Sequence, residues 1–252
     1  SPLIAGDIWY SSTTRKIRGA KIAAGAWATR ASFNTARSDF SPANASPSST
    51  GLIAGGPPDQ AITEYYDGST WAEVADLNQG RRQGGGAGTS TAALCIAGQW
   101  PSNTQQDIVE EWNGTSWTEI ADINVGADAV SNNACGITTA ALLIGGARGS
   151  PEMDDSVEHW NGTAWTEGAD LAGDGGMYAT AFGISTAAMF VGGDRPGKSA
   201  DAEEWNGSSW TEVGNINDAR AGMGGAGTVD YGLVFAGASP AAVATTELWD
   251  GT

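Results

Sequence analysis

Short apolar runs separated by polar turns recur along this chain about once every 45 residues. Each period contains a stretch of Gly, Ala, Ser and Thr, an apolar run that ends in Gly, and two further apolar segments joined by Asn-Gly or Asp-Gly. Short runs with this punctuation predict strands rather than helices. Within residues 83–122 the pattern predicts four strands, a to d, at 83–90, 92–98, 107–113 and 116–122.

Tryptophans mark the same repeat. The segment EEWNGTSWTEIADIN (110–124) has close copies at 63–78, 157–172 and 202–217. Its Asn-Gly pair predicts a two-residue type I′ turn, because both central residues of that turn need positive φ. The turn places Trp112 opposite Thr115 and Glu110 opposite Trp117, with both indoles on one sheet face. Such apolar faces are expected to pack neighbouring sheets together, and the tryptophans given this structural role are Trp27, Trp71, Trp112, Trp117, Trp160, Trp165, Trp205, Trp210 and Trp249.

The order of the predicted strands indicates how the repeats assemble. Small residues in strand a suit strands that crowd around an axis, and Glu and Thr in strand d blunt an exposed edge. The prediction is an all-β fold, a five-bladed β-propeller of four-stranded antiparallel blades. The chain ends in half a motif, TTELWDGT (245–252), and the other half lies near the start. We therefore expect an N-terminal strand at about 24–30 to complete the last blade, so that residues 24–252 form the propeller and residues 1–23 an arm.

Charge and hydropathy argue against two classes of partner, nucleic acids and membranes. The chain has 29 acidic and 12 basic residues, and its formal net charge is −17. A polyanion repels phosphate backbones, so we expect no nucleic-acid binding. Anionic membrane surfaces are disfavoured for the same reason. No run of 18 apolar residues exists, so we expect no membrane insertion.

Few residues suggest catalysis. His159, the only histidine, occupies a strand position that Glu111 and Glu204 hold in other repeats, and we interpret it as a strand substitution. One histidine does not support a serine or cysteine triad. Cys95 and Cys135 fall in predicted strands and are expected to be core thiols. The chain is therefore predicted to be non-enzymatic, without metal or cofactor; a glycosidase that uses two carboxylates is a less favoured alternative.

A known repeat has the same layout. The string YYDGSTW (65–71), with Arg81 ten residues after the Trp and an apolar strand ending in Gly-Gly, resembles the kelch repeat over residues 25–252. Kelch propellers usually have six or seven blades, so five is a departure. The EWNGTSWTE copies resemble kelch-like proteins of phages and marine viruses, and GDIWYSSTTRKIRG (6–19) resembles a short hairpin of phage virion proteins. These resemblances imply a virion or extracellular location, in a tail fibre or on the particle surface.

The loops indicate where binding would occur. In an a–b–c–d meander the b–c and d–a connections share one face of the propeller, here named the loop face. Its b–c segments at 99–107, 147–156 and 194–202 are long and irregular, and recognition is often placed on such loops. Trp100 lies there outside the repeat and is predicted to be a sugar platform or protein anchor, or alternatively a cap on its own blade. The residues predicted to bind a ligand are Trp100, Arg81, Arg148, Arg195 and Arg220.

Two functions follow as expectations. The first is a receptor-binding adhesin that recognises a host-surface glycan or protein through the loop face. The second is structural decoration of a particle, in which residues 1–23 attach the propeller to other virion proteins. Lys16 and Arg18 give this arm a charge opposite to that of the propeller, and Trp9 offers it an apolar anchor.

Overall fold

The computed structural model describes residues 8–11, 16–19, 29–101, 103–128, 130–148, 154–195 and 197–251. The chain divides into two compact units, Ser1–Ala31 and Ser32–Thr252. In the first unit, strands β1 (Ile8–Ser11) and β2 (Lys16–Gly19) form an antiparallel hairpin. Its register pairs Trp9 with Arg18.

Five antiparallel sheets follow one another in the second unit. Blade 1 contains β3 (Ser41–Pro42), β4 (Gly51–Ala54), β5 (Thr63–Tyr66) and β6 (Trp71–Glu73). Blade 2 contains β7 (Gly85–Thr89), β8 (Ala92–Ile96), β9 (Val109–Trp112) and β10 (Trp117–Glu119). Blade 3 contains β11 (Ala134–Ile137), β12 (Ala140–Ile144), β13 (Val157–Trp160) and β14 (Trp165–Glu167). Blade 4 contains β15 (Thr180–Ile184), β16 (Ala187–Val191), β19 (Ala202–Trp205) and β20 (Trp210–Glu212), with the ribbon β17 (Asp194–Arg195) and β18 (Gly197–Lys198) in its b–c connection. Blade 5 contains β21 (Gly224–Gly227), β22 (Gly232–Phe235) and β23 (Thr246–Trp249). The predicted all-β, five-bladed propeller is confirmed.

Blade 5 has three strands within the part of the chain that the structure describes. Its predicted fourth strand, at about 24–30, lies largely outside the described residues, which resume at Thr29. Thr29 and Arg30 themselves belong to no strand.

The inner strands are built from small residues because they approach one another closely. Strand β11 contacts both β7 and β15, and β15 in turn contacts β21. A Cβ built on Gly86 of β7 would lie 2.1 Å from the carbonyl oxygen of Pro42 in β3. No Cβ atom fits at that distance, so only glycine can occupy position 86 at this spacing of the blades.

The hairpin between the two outer strands differs from the predicted one. Trp112 pairs directly with Trp117, and Glu110 pairs with Glu119, so the predicted register was wrong. A type I′ turn needs positive φ at both central residues. Gly114 has a φ of 94°, but the φ of Asn113 is not positive. Instead the Asn113 side-chain oxygen accepts hydrogen bonds from the backbone N–H groups of Thr115 and Ser116, which closes a longer loop.

The predicted indole pairs nevertheless form. Ring centroids lie 5.5 Å apart in the pair Trp112–Trp117, because residues that face each other across two strands point to the same side. Equivalent pairs in the neighbouring blades are Trp160–Trp165, Trp205–Trp210 and, with a tyrosine in the first position, Tyr66–Trp71.

The three tryptophan pairs of blades 2 to 4 pack between their own blade and the preceding one. Trp165, for example, shares a core cluster with Leu94 and Ile96 of blade 2. Trp249 packs in a similar way against blade 4, whereas Trp27 lies outside the described residues. The paired tryptophans of blades 2 to 4 thus lie in core clusters that join neighbouring blades.

The remaining core predictions also agree with the structure. Cys95 and Cys135 are buried free thiols. His159 lies in β13, and its ring centroid is 5.1 Å from that of Trp205 in the next blade. Burial lowers the pKa of His159, so the neutral ring packs at this blade interface.

Candidate functional site

A cavity of about 470 Å³ opens among the connections that lead into the inner strands. These are d–a connections, so the cavity lies on the predicted loop face. Four of the five blades contribute to its lining, which places it at the propeller axis. The lining residues are Arg37, Ser38, Asp39, Phe40, Pro42, Ser131, Asn132, Tyr178 and Gly222. Its volume falls within the range of small-molecule binding sites.

Equivalent residues of the five blades line this cavity or, in the case of Gln83, form a hydrogen bond to its lining. Each is the second residue before an inner strand, and the five are Asp39, Gln83, Asn132, Tyr178 and Gly222. Four of them have positive φ: 48° at Asp39, 58° at Gln83, 53° at Tyr178 and 66° at Gly222. A side chain is disfavoured in this conformation, and such residues cluster at functional sites. We name this set the axial ring.

Hydrogen bonds fix the axial ring. The carbonyl oxygen of Asp39 accepts from the Gln83 N–H at 2.7 Å, and that of Tyr178 accepts from the Gly222 N–H at 2.7 Å. Gln83 also reaches from blade 2 to blade 4, where its Nε2 donates to the Tyr178 hydroxyl at 2.9 Å. Asn132 donates from Nδ2 to the carbonyl oxygen of Met223 in blade 5. The axial ring is thus held in place by contacts between blades.

The surroundings of Tyr178 are acidic. Burial raises the pKa of its phenol, and the carboxylates Asp128, Asp39 and Asp194 raise it further, against a smaller opposing effect of the hydrogen bond from Gln83. The phenol therefore keeps its proton and is available as a hydrogen-bond donor.

The predicted arginines have a different environment. Arg81 and Arg220 are buried, and each forms an ion pair with a strand-c glutamate: Arg81 with Glu110 at 3.0 Å, and Arg220 with Glu247 at 2.9 Å. The connection from the preceding blade adds backbone hydrogen bonds to the same glutamate, as Asn78 does to Glu110 at 2.7 Å. These arginines therefore latch one blade to the next, and their side chains do not reach the surface.

Arg148 forms the same latch from another part of the sequence. In blade 3 Ala127 replaces the repeated arginine, and Arg148, from the b–c connection, pairs with Glu158 instead. Arg195 occupies the corresponding position in blade 4, two residues after the Gly-Gly pair, but its Nη1 lies 2.9 Å from Asp201.

Trp100 is the most exposed member of the predicted set, with 39% of its surface accessible. Its loop is ordered by backbone bonds, including one from the Trp100 N–H to the carbonyl oxygen of Thr104 at 2.9 Å. The Trp100 indole is therefore partly accessible to solvent, and its role as a platform stays a prediction. Of the five predicted ligand-binding residues, Trp100 and Arg195 are thus the two whose side chains reach solvent.

The sequence reasoning missed the axial ring. A signal was present, because Asp39, Gln83, Asn132 and Tyr178 all stand two residues before a strand of small residues, and they differ in chemistry although the repeat is otherwise regular. The residues predicted to attach the arm, Trp9, Lys16 and Arg18, lie in the hairpin of the first unit, and their role stays a prediction.

The described residues form neither a cluster of metal ligands nor a membrane-spanning helix. Among the described residues, no group of three or more His, Cys, Asp or Glu is placed to hold a metal ion. Within the same residues there is no helix with the length and hydropathy needed to cross a membrane.

Comparison with known proteins supports the fold. The solved structure titled "Structure of YjhT" is similar to this chain, with a TM-score of 0.66 and 13% sequence identity over 81% of this chain and 74% of that one. No family model matches the sequence, and no curated protein matches it. At this identity the likeness shows the β-propeller fold alone.

Proposed function

We propose that this chain is a non-enzymatic binding module of a phage or virus particle, which recognises a host-surface glycan or protein through its loop face. The observation that carries the proposal is the axial cavity, with its ordered set of chemically different side chains on the face that also presents Trp100. The sequence resemblance to kelch-like virion proteins supports the virion or extracellular location.

The cavity favours binding over hydrolysis. Asp39 is the one carboxylate among its described lining residues, whereas glycoside hydrolysis uses a pair. A site with one carboxylate, a phenol and an amide can hold a ligand by hydrogen bonds without breaking a bond in it.

The test uses variants that block the cavity. A Cβ on Gly222 would meet nothing within 4 Å, and its φ of 66° is close to the 53° that Tyr178 adopts in the equivalent position. Gly222→Tyr should therefore fold and fill the cavity, while Gly222→Ala imposes the same backbone constraint and leaves the cavity open. We expect Gly222→Tyr and Trp100→Ala to reduce binding to host cells and to a glycan array, and Gly222→Ala to bind like the parent. Equal binding by all variants would contradict a role for the loop face.

A second function is favoured by the first compact unit. The β1–β2 hairpin lies in that unit, Ser1–Ala31, and its separation from the propeller unit supports a role as an arm that attaches to other virion proteins. Deleting residues 1–23 should then release the protein from particles while host binding by the isolated propeller persists. Unchanged incorporation into particles would contradict this structural role.

A further inference from the structure

Several hydrogen-bond acceptors lie in or beside the axial cavity. Among the described residues, the Asp39 carboxylate accepts from the Ser38 hydroxyl at 3.4 Å. Gln83 uses its Nε2 on Tyr178, and its Oε1 is buried without a partner among the described residues. Asn132 uses its Nδ2 on Met223, which leaves its amide oxygen as an acceptor. The ligand that satisfies such a site is rich in N–H or O–H donors.

The charge at the cavity is negative. Arg37 is the cationic lining residue, and its Nη1 lies 2.5 Å from Glu64, which neutralises it. Lys198 likewise neutralises Asp194 at 2.5 Å. Among the residues that the structure describes, Asp39 forms no ion pair, and Asp128 accepts from the neutral amides of Gln99 and Gln105. The same carboxylates raise the pKa of Tyr178, as described above. An anionic ligand would therefore be repelled, and a cation attracted.

Aromatic rings complete the lining. Phe40 and Tyr178 both face the cavity, and cations are attracted to the faces of such rings. A carboxylate, unsatisfied amide oxygens and aromatic rings together form an environment suited to a protonated amine rather than to a neutral sugar.

We propose that the axial cavity binds a primary ammonium group carried on a small polar ligand, with Asp39 as its counter-ion and Asn132 as a hydrogen-bond acceptor. This inference rests on the proposed binding function and names the chemistry of the ligand. Two sources supply that chemistry, an amino sugar with a free amine and the side chain of lysine.

The experiment titrates the full chain with matched probes by calorimetry, at a pH below the pKa of the amine. Glucosamine, glucose and N-acetylglucosamine share one ring and differ in charge at a single position. We expect glucosamine to bind at least tenfold more tightly than either neutral sugar, since only its ammonium group can pair with Asp39. Nα-acetyl-lysine amide serves as the second source, and whichever of the two amines binds more tightly identifies the source.

Four variants test whether the amine binds in the axial cavity. Asp39→Asn should weaken glucosamine or lysine binding at least tenfold, whereas Asp122→Asn removes an equal charge from an exposed position outside the cavity and should leave the affinity unchanged. Gly222→Tyr should abolish binding and Gly222→Ala should retain it. Thermal unfolding of each variant confirms that it is folded.

Three outcomes would overturn the inference: equal affinity for glucose and glucosamine, no binding of either amine, or amine binding that survives both Asp39→Asn and Gly222→Tyr. Each of these is distinguishable from failure of the proposed function. If host cells or arrayed glycans still bind the parent and not Gly222→Tyr, the loop face recognises a ligand of different chemistry; if they bind neither, the proposed function fails as well.

Discussion

Arg148 donates a hydrogen bond from Nη1 to Oε1 of Glu158, and it does so from the b–c connection rather than from the repeat position where Arg81 serves Glu110. The strand-c glutamate is thus latched in both blades, although the arginine comes from different places in the sequence. The ion pair is the constant feature of these blades, and the position of the arginine is not.

Removal of the latch in blade 3 should be costly. Arg148→Ala leaves Glu158 buried without its cation, and we expect a loss of about 3–5 kcal/mol in the free energy of unfolding, measured by urea denaturation. Adding Ala127→Arg to that variant restores an arginine at the repeat position and should recover more than half of the loss. Arg82→Ala, which removes a partly exposed pair with Asp59, should cost less than about 1 kcal/mol. No recovery in the double variant would contradict the equivalence of the two positions.

Protonation of the strand-c glutamates should destabilise the protein in acid. Glu64 is the strand-c glutamate of blade 1 and pairs with Arg37. Burial alone raises the pKa of Glu64, but hydrogen bonds from the Asn34 backbone, the Arg37 side chain and the Thr35 backbone outweigh it and lower the pKa. Since the folded pKa lies below the unfolded value of about 4.3, the stabilisation is present above that pH and is lost as pH falls through the folded pKa.

The pKa of Glu247 is lowered in the same way by Asn217 and Arg220, against the effect of burial. We expect urea midpoints to drop steeply below about pH 4.3. In Glu64→Gln that acid-dependent drop should be smaller. A drop of the same size in parent and variant would show that Glu64 does not contribute.

The core thiols should resist modification. Burial raises the pKa of Cys135 to about 12, so its reactive thiolate form is scarce at neutral pH. Native protein should therefore show no alkylation of Cys135 by iodoacetamide at pH 8 when analysed by mass spectrometry, and complete alkylation in denaturant. Ser208→Cys, in an exposed turn, is the positive control and should react fully without denaturant. Rapid alkylation of Cys135 in the native state would contradict its burial.

Substitution of Trp27 tests whether the strand predicted at about 24–30 completes blade 5. The sequence places Trp27 in the strand at about 24–30 that is predicted to complete blade 5, a segment that lies largely outside the described residues. If that prediction holds, Trp27→Ala removes a packed indole and should lower the free energy of unfolding by about 3–5 kcal/mol. A matched Trp100→Ala variant removes an exposed indole and should cost far less. A loss below about 0.5 kcal/mol at Trp27 would place it outside the packed repeat.

The blades could be predicted from the sequence because their determinants are local and recur. Two aromatic residues, such as Trp112 and Trp117, lie on either side of a turn in every full copy of the motif, so pairing of the two strands brings both rings to one face. The register escaped prediction because Asn113 closes the loop with its side chain, which the Asn-Gly pair alone does not reveal. The latch partner of Arg81 escaped it too, because Glu110 lies 29 residues away on a strand of the next blade. Tyr178 could not be assigned to a site because its neighbours at the axis come from blades 1 to 5, and that proximity exists only in the closed ring.

The five positions of the axial ring share one place before an inner strand but differ in residue type. Gln83, Asn132 and Tyr178 form hydrogen bonds to other blades through their side chains, whereas the Asp39 side chain bonds to the neighbouring Ser38. If the cavity binds a ligand as proposed, Asp39 is therefore the position of the ring where a new side chain would change specificity with the smallest loss of contacts between blades.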